Sequence, residues 1–426
     1  MDVRRILLSI LIAGSCETAF GAPPPEPSLL ELATRTREAR LAGDAKAWLE
    51  HGQATLARAP EHPDLLISTA RALAANGRDG EALDLLEEAI RRGARVDAAA
   101  IPEFESLRAD ARFAALAAQG LENRRPVSPP EVFLVVEDAS IEPEGITYDP
   151  DTARLFIGSL KGEIWQISMG KDLDRFAGAD SGLREVLGLK VDRGRRLLWA
   201  VTGVFPDLWT AEPKKDAGLA GVLAFHLADG RRASECWLDE RPVEHGFNDL
   251  ALAKNGDVYV SDSTTGSIYL LPRGECRLER IVQDAHMSFP NGIALSADET
   301  RLYVAHVEGL SVVDLKTRSR RQLAVPGNTS VNSMDGLVRD GADLIGIQPS
   351  PYLARVARIR LDEGGTAVRE VVTVSSPPPE GTTQTTGVIV GKDFYSVAGP
   401  TDPQAADGDQ DRRARILRVT DAAAAK

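Results

Sequence analysis

The chain has 426 residues, of which 27% are charged and 43% hydrophobic, with a net charge of −13. That length predicts two or three domains with ample core. An acidic balance with no basic run argues against a duplex nucleic-acid binder, and no segment after residue 21 is long and apolar enough to form a membrane-spanning helix.

The first element is a leader. Arg4 and Arg5 precede an apolar run over 6–14, and Ala19-Phe20-Gly21 forms a small-x-small site. This predicts a signal peptide over 1–21 and export to the periplasm or medium. Two other readings compete: a poor lipoprotein-type box, Ala13-Gly14-Ser15-Cys16, which would anchor the chain at Cys16, and a twin-arginine signal with ill-fitting flanks. Only Cys236 and Cys276 follow the leader. In an exported chain they either pair or stand as two separate thiols, and spacing alone leaves both open.

Residues 22–120 form a helical region. Segments 29–41, 46–57, 63–75 and 80–92 carry apolar residues at three- and four-residue spacing. Asn76-Gly77 and Gly93 read as helix stops. Leu66, Ala70, Leu73, Gly77, Ala82, Leu86 and Ala89 match the spacing of a tetratricopeptide repeat, with a degenerate repeat before it and a closing helix over 104–116. Such a region is either a partner-binding module or a helical cap packed on the main domain. Arg124, Arg125, Pro126, Pro129 and Pro130 mark 121–130 as a linker.

From 131 to 426 the period becomes two. Six segments repeat one pattern: a polar residue, usually a glycine, an apolar strand, a polar turn and an aromatic-apolar strand. Their first residues are Glu144, Leu187, Asn248, Asn291, Asp335 and Thr386, at steps of 43, 61, 43, 44 and 51. The pattern predicts an all-β six-bladed propeller, one four-stranded blade per repeat, with an insertion at 205–219 in the second blade. Glycine lets the backbone approach the axis, so the six first residues form a ring around the central mouth. The second strands run back to the same face, which predicts an outer ring of Ser159, Thr202, Asp262, His306, Gln348 and Ala398.

Glu144, Asn248, Asn291 and Asp335 would together make an oxygen-only cage. Hard, flexibly coordinated cations prefer such a cage, Ca²⁺ above all. Zn²⁺ would require His or Cys, which the inner ring lacks. The plainer reading is four strand-start polar residues in turn hydrogen bonds.

The phrases EPEGITYD, GFNDLALAKNGDVYVSDS, FPNGIALSADETRLYVAHV and SMDGLV resemble the calcium-dependent propellers of the senescence marker protein/gluconolactonase family, and also the paraoxonases and diisopropylfluorophosphatase. The resemblance covers everything after the linker. It implies a divalent metal on the channel axis, held by Glu144, Asn291 and Asp335, with Asn248 a fourth ligand or a substrate-side group. It also implies hydrolysis of a lactone or related ester, with Asp335 as base or nucleophile. Asp262 and His306 would then move protons, and Asp249, Ser159, Thr202 and Gln348 would line the substrate pocket. Two departures stand out. Gly246 replaces an arginine found in gluconolactonase-like members, and Leu187 lies where paraoxonase-like members place a histidine. His245 and His286 lie in loops before inner strands. A non-catalytic ligand- or protein-binding propeller, assisted by the helical region, is the alternative.

Overall fold

The computed structural model describes residues 27–168, 173–206, 214–401 and 413–422. The expected signal peptide, with Cys16, lies outside the described residues, as does the centre of the 205–219 insertion.

Helices α1 (Leu29–Leu41), α2 (Ala45–Arg58), α3 (Pro63–Ala75) and α4 (Asp79–Arg91) form two antiparallel hairpins stacked through α2 and α3. Ser28 and Glu31 close a capping box on α1, and Asp44 caps α2. The repeat-spaced residues Leu66, Ala70, Leu73, Ala82, Leu86 and Ala89 are all buried in one core. Each large apolar side chain there contributes about 1.5–3 kcal/mol. The expected closing helix is broken in two. A 3₁₀ segment, Pro102–Leu107, precedes α5 (Ala111–Asn123), whose N-cap is Asp110. Helix α5 therefore runs three residues into the segment expected to be linker.

The remaining chain is a propeller of six four-stranded antiparallel sheets. Blades 1 to 5 span 143–177, 185–238, 247–283, 293–322 and 337–375 in chain order. Blade 6 takes three strands from 382–419, and its outermost strand is Glu131–Val135, paired with Arg415–Val419. The ring is thus closed by strands from its two ends, which protects the edges that an open sheet would expose. Cys236 on the outer strand of blade 2 is disulfide-bonded to Cys276 of blade 3, 40 residues on.

The helical region packs on the mouth-side loops of blades 3, 4 and 5. His62 Nε2 lies 2.8 Å from Ser333 Oγ, and Ser350 Oγ donates to Asp64 at 2.7 Å. Arg58 donates to the Ala285 carbonyl at 2.9 Å and lies 3.7 Å from Glu308. Buried Arg92 donates to the Thr329 carbonyl at 3.1 Å, and the Arg95 amide donates to the Tyr352 carbonyl at 2.7 Å. Of the two expectations for this region, packing against the main domain is what the fold displays.

Candidate functional site

A backbone irregularity shared by the blades builds the mouth. In blade 1, Pro143 pairs with Ser159 and Ile146 with Ile157, so Glu144 and Gly145 face the single residue Gly158. The same two-against-one count places Leu187-Gly188 opposite Val201 and Asn248-Asp249 opposite Ser261. In blade 4, the Asn291 amide donates to the Ala305 carbonyl at 2.8 Å, and the Ala305 amide donates to the Gly292 carbonyl at 2.9 Å. Asp335 and Gly336 bracket Ile347 alike, at 2.8 and 3.0 Å. Such a bulge turns one side chain out of the strand's alternation.

Where the pair holds a glycine, that glycine is a contact requirement. A Cβ on Gly145 would lie 1.8 Å from the Leu187 carbonyl oxygen, and one on Gly292 would lie 2.4 Å from the Asp335 carbonyl oxygen. In blades 1, 2, 4 and 5 the bulge therefore packs its glycine on the bulged pair of the next blade. Blade 6 corrects the sequence register. Gln384 pairs with Ala398 and Gly387 with Ser396, so the two bulged residues are Thr385 and Thr386, and the ring member is Thr385 rather than Thr386. The Gly336 amide donates to the Thr385 carbonyl at 2.9 Å, as the Gly292 amide does to that of Asp335 at 3.0 Å. The glycine of this repeat falls one position later than in the others, and that misled the sequence reading.

The ring side chains interact electrostatically. Burial pushes the Glu144 carboxyl up to about 7, against a hydrogen bond from Thr385 that lowers it. Burial, then the charge of Glu144, raises Asp335 well above the usual carboxylate range, with Asp249 adding to the rise and an Asn291 hydrogen bond opposing it. Asn291 Oδ1 is buried and accepts no hydrogen bond. Asn248 Nδ2 donates to Ser263 Oγ at 3.1 Å, which fixes that amide by its nitrogen and leaves its oxygen for a ligand. Two carboxylates that resist sharing charge, beside a buried carbonyl oxygen with no donor, form a set that a divalent cation would satisfy. Among the described residues no three His, Cys, Asp or Glu side chains cluster as a metal site, so the donor set here is the mixed carboxylate–carboxamide one that suits a hard ion.

Asp249 lies beside the ring, not among its side chains. Its carboxylate accepts from Lys190 Nζ at 3.1 Å and from the Ile293 amide at 3.1 Å. Lys190 is a channel residue the sequence reading missed; the only signal was its place two residues after Gly188.

The side chains expected in an outer ring are each engaged by neighbouring groups. Asp262 accepts from His245 Nδ1 at 2.6 Å, from Thr265 Oγ1 at 2.7 Å and from the Gly246 amide at 3.0 Å. These bonds fix the loops around Gly246 and Thr265. His306 is buried with Nε2 at 2.8 Å from Ser311 Oγ and Nδ1 at 3.2 Å from Glu308. Burial lowers its pKa, and Glu308 pulls it part of the way back. Gln348 donates to the Asn332 carbonyl at 2.8 Å and accepts from Arg355 at 2.9 Å. Ser159 and Thr202 are fully buried and accept from the amides of Lys161 and Arg184 at 3.1 and 2.8 Å. The reason is register. Ser159, Thr202 and Asp262 pair with Pro143, Val186 and Phe247, the residues just before the bulge. They keep the regular alternation that the ring residues leave.

No protein-family model and no curated protein matches the chain. Among solved structures, the chain is similar to a luciferin-regenerating enzyme at 14% identity over 68% of this chain and 95% of that one, with a TM-score of 0.45. It is also similar to the PQQ-bound aldose sugar dehydrogenase of Streptomyces coelicolor, at 12% identity over 70% and 99%, TM-score 0.45. A virginiamycin B lyase from Staphylococcus aureus matches at 13% identity over 68% and 98%, TM-score 0.46. Likenesses this distant carry no argument about chemistry.

Proposed function

We propose that the protein is an exported, divalent-cation-dependent hydrolase, with Ca²⁺ the best-fitting ion, that opens a lactone or related ester at the propeller mouth. One observation supports this reading: Glu144, Asn248, Asn291 and Asp335 share the bulge register, Glu144 and Asn291 act on Asp335, and Asn291 Oδ1 is buried without a donor. A bound cation would supply Lewis acidity toward the carbonyl. Glu144 and Asp335 balance its charge, and the two asparagine oxygens complete its shell without adding to that charge. Asp335 also accepts the proton of the attacking water, which adds across the acyl C–O bond to give a hydroxy acid. The Cys236–Cys276 disulfide supports an oxidising, exported setting. Among the described residues no helix is long and apolar enough to cross a membrane.

The test is a panel of lactones and aryl esters with and without EDTA, alongside calorimetric titration of Ca²⁺. Binding of about one ion with EDTA-sensitive turnover is the expected result. A second reading, a non-catalytic ligand- or protein-binding propeller, is favoured by the engagement of His306 and Asp262 with neighbouring groups. Ca²⁺ binding with no turnover across the panel would establish that reading over the first.

A further inference from the structure

Helix α1, the end of α2 and the mouth-side loops of blades 3 and 4 enclose a cavity of about 600 Å³. Its apolar wall includes Leu29, Leu30 and Ala33 from the helical region and Met287, Phe289 and Val307 from the propeller. A space of this size, apolar with a few polar atoms, is typical of small-molecule sites. Two such polar atoms are present: Thr264 Oγ1 and Arg58 Nε are buried at lining residues without a hydrogen-bond partner.

The cavity borders the mouth. Phe289 lies two residues before Asn291 and has a φ of +55°, a left-handed conformation that a bulky residue adopts at a cost. That backbone holds its ring 6.0 Å from the ring of Phe205, on the mouth side of blade 2. Ser263, another lining residue, accepts from the Asn248 amide at 3.1 Å and donates to the Pro290 carbonyl at 2.7 Å. The wall is thus bonded to one proposed ligand and continuous in chain with a second.

We infer that this cavity receives an apolar substituent, an alkyl or aryl chain carried on the lactone or ester opened in the mouth, and that the helical region is the element selecting it; this rests on the hydrolase reading above. Beyond what Thr264 Oγ1 and Arg58 Nε could pair, the hydroxyls of a sugar lactone would lie unpaired against Leu29, Met287 and Val307, and burying an unpaired hydroxyl is unfavourable. An alkyl chain gains with each buried methylene.

The experiment uses the full chain with Ca²⁺ and two ligand series. One is γ-lactones from unsubstituted to octyl-substituted; the other is the matching lactams, which lack the scissile ester. Wild type should bind lactams more tightly with chain length, about 10-fold or more across the series, and kcat/KM for lactones should rise in parallel. Ala33→Trp and Ala285→Trp, at positions that are not fully buried, should each collapse the octyl-to-unsubstituted ratio toward one. Equal wild-type affinity at every chain length, or a chain-length slope that survives both substitutions, would overturn the assignment. Lactam affinity that tracks chain length without any lactone turnover would remove the hydrolase reading and leave the cavity's role standing. Lactone turnover with no chain-length dependence would do the reverse.

Discussion

The inner and outer rings lie on one face of the propeller and come from neighbouring strands of the same blades, yet their side chains have opposite tasks. Inner residues leave the strand alternation at a bulge, and among them Glu144 and Asn291 act on Asp335. Outer residues keep the alternation and bind the loops together: Asp262 fixes the turn at Gly246, and Gln348 holds Arg355 and the Asn332 carbonyl. The difference teaches that a polar residue's distance from a channel says little about whether it serves the channel. Its backbone register decides.

The comparison breaks or holds on substitutions in each ring. Asp262→Ala removes the buried partner of His245 Nδ1, the Gly246 amide and Thr265 Oγ1 together, and should cost about 3–5 kcal/mol in chemical denaturation. Ca²⁺ affinity, measured on the same samples, should stay within about two-fold. A large loss of affinity would return Asp262 to the mouth. Removing the disulfide with Cys236→Ser and Cys276→Ser should cost about 3–4 kcal/mol, again with Ca²⁺ affinity kept, because the bond staples two blades at their rim. Glu144→Gln with Asp335→Asn should do the opposite: lower Ca²⁺ affinity about 100-fold, equivalent to about 2.7 kcal/mol, and abolish the thermal shift that Ca²⁺ gives. If affinity is unchanged, the ring is not the metal site.

The smallest expected effect concerns pH. Burial holds His62 and His306 below the usual histidine value, with nearby carboxylates opposing it: Asp64 and Glu308 at His62, Glu308 and Asp284 at His306, where Arg320 acts with burial. Between the folded and unfolded values the unfolded chain carries more protons. Their contribution is therefore fully present above about pH 6.5 and lost as pH falls through the folded values, at about 1.4 kcal/mol per pH unit for each group. Glu144 behaves oppositely. Its folded value of about 7 means that its contribution is present below the ordinary carboxylate range and lost as pH rises through 7. A stability–pH curve for His62→Gln, subtracted from wild type, cancels the mouth and isolates the docking contact. A flat difference between pH 7 and 5 would remove His62 from that contact.

Much of this was legible in the chain. The six repeats announced the propeller because a recurring pair, a glycine in five of the six, stands before each apolar strand and has few other uses. The helices α1 to α4 were readable to within one residue at either end. The ring was readable wherever glycine followed the ring residue, at Glu144, Leu187, Asn291 and Asp335. It slipped by one in blade 6, where Thr385-Thr386-Gly387 offers two threonines and the glycine falls past the bulge. The outer ring was misjudged because strand ends were counted without their alternation. The contacts of His62, Arg58 and Asp64 with the propeller were not legible at all, since they join residues more than 200 positions apart.

The clasp of Glu131–Val135 on Arg415–Val419 has a consequence for how the molecule is made. The first strand of the propeller to leave the ribosome waits for the last. At synthesis rates of about 5–20 residues per second, the ring stays open for roughly 15–60 s. During that interval a finished helical module precedes an unfinished sheet with bare edges. Under the export proposed above, such a delay would leave the propeller portion of the chain unclosed, and so easier to thread, until its final strand is made.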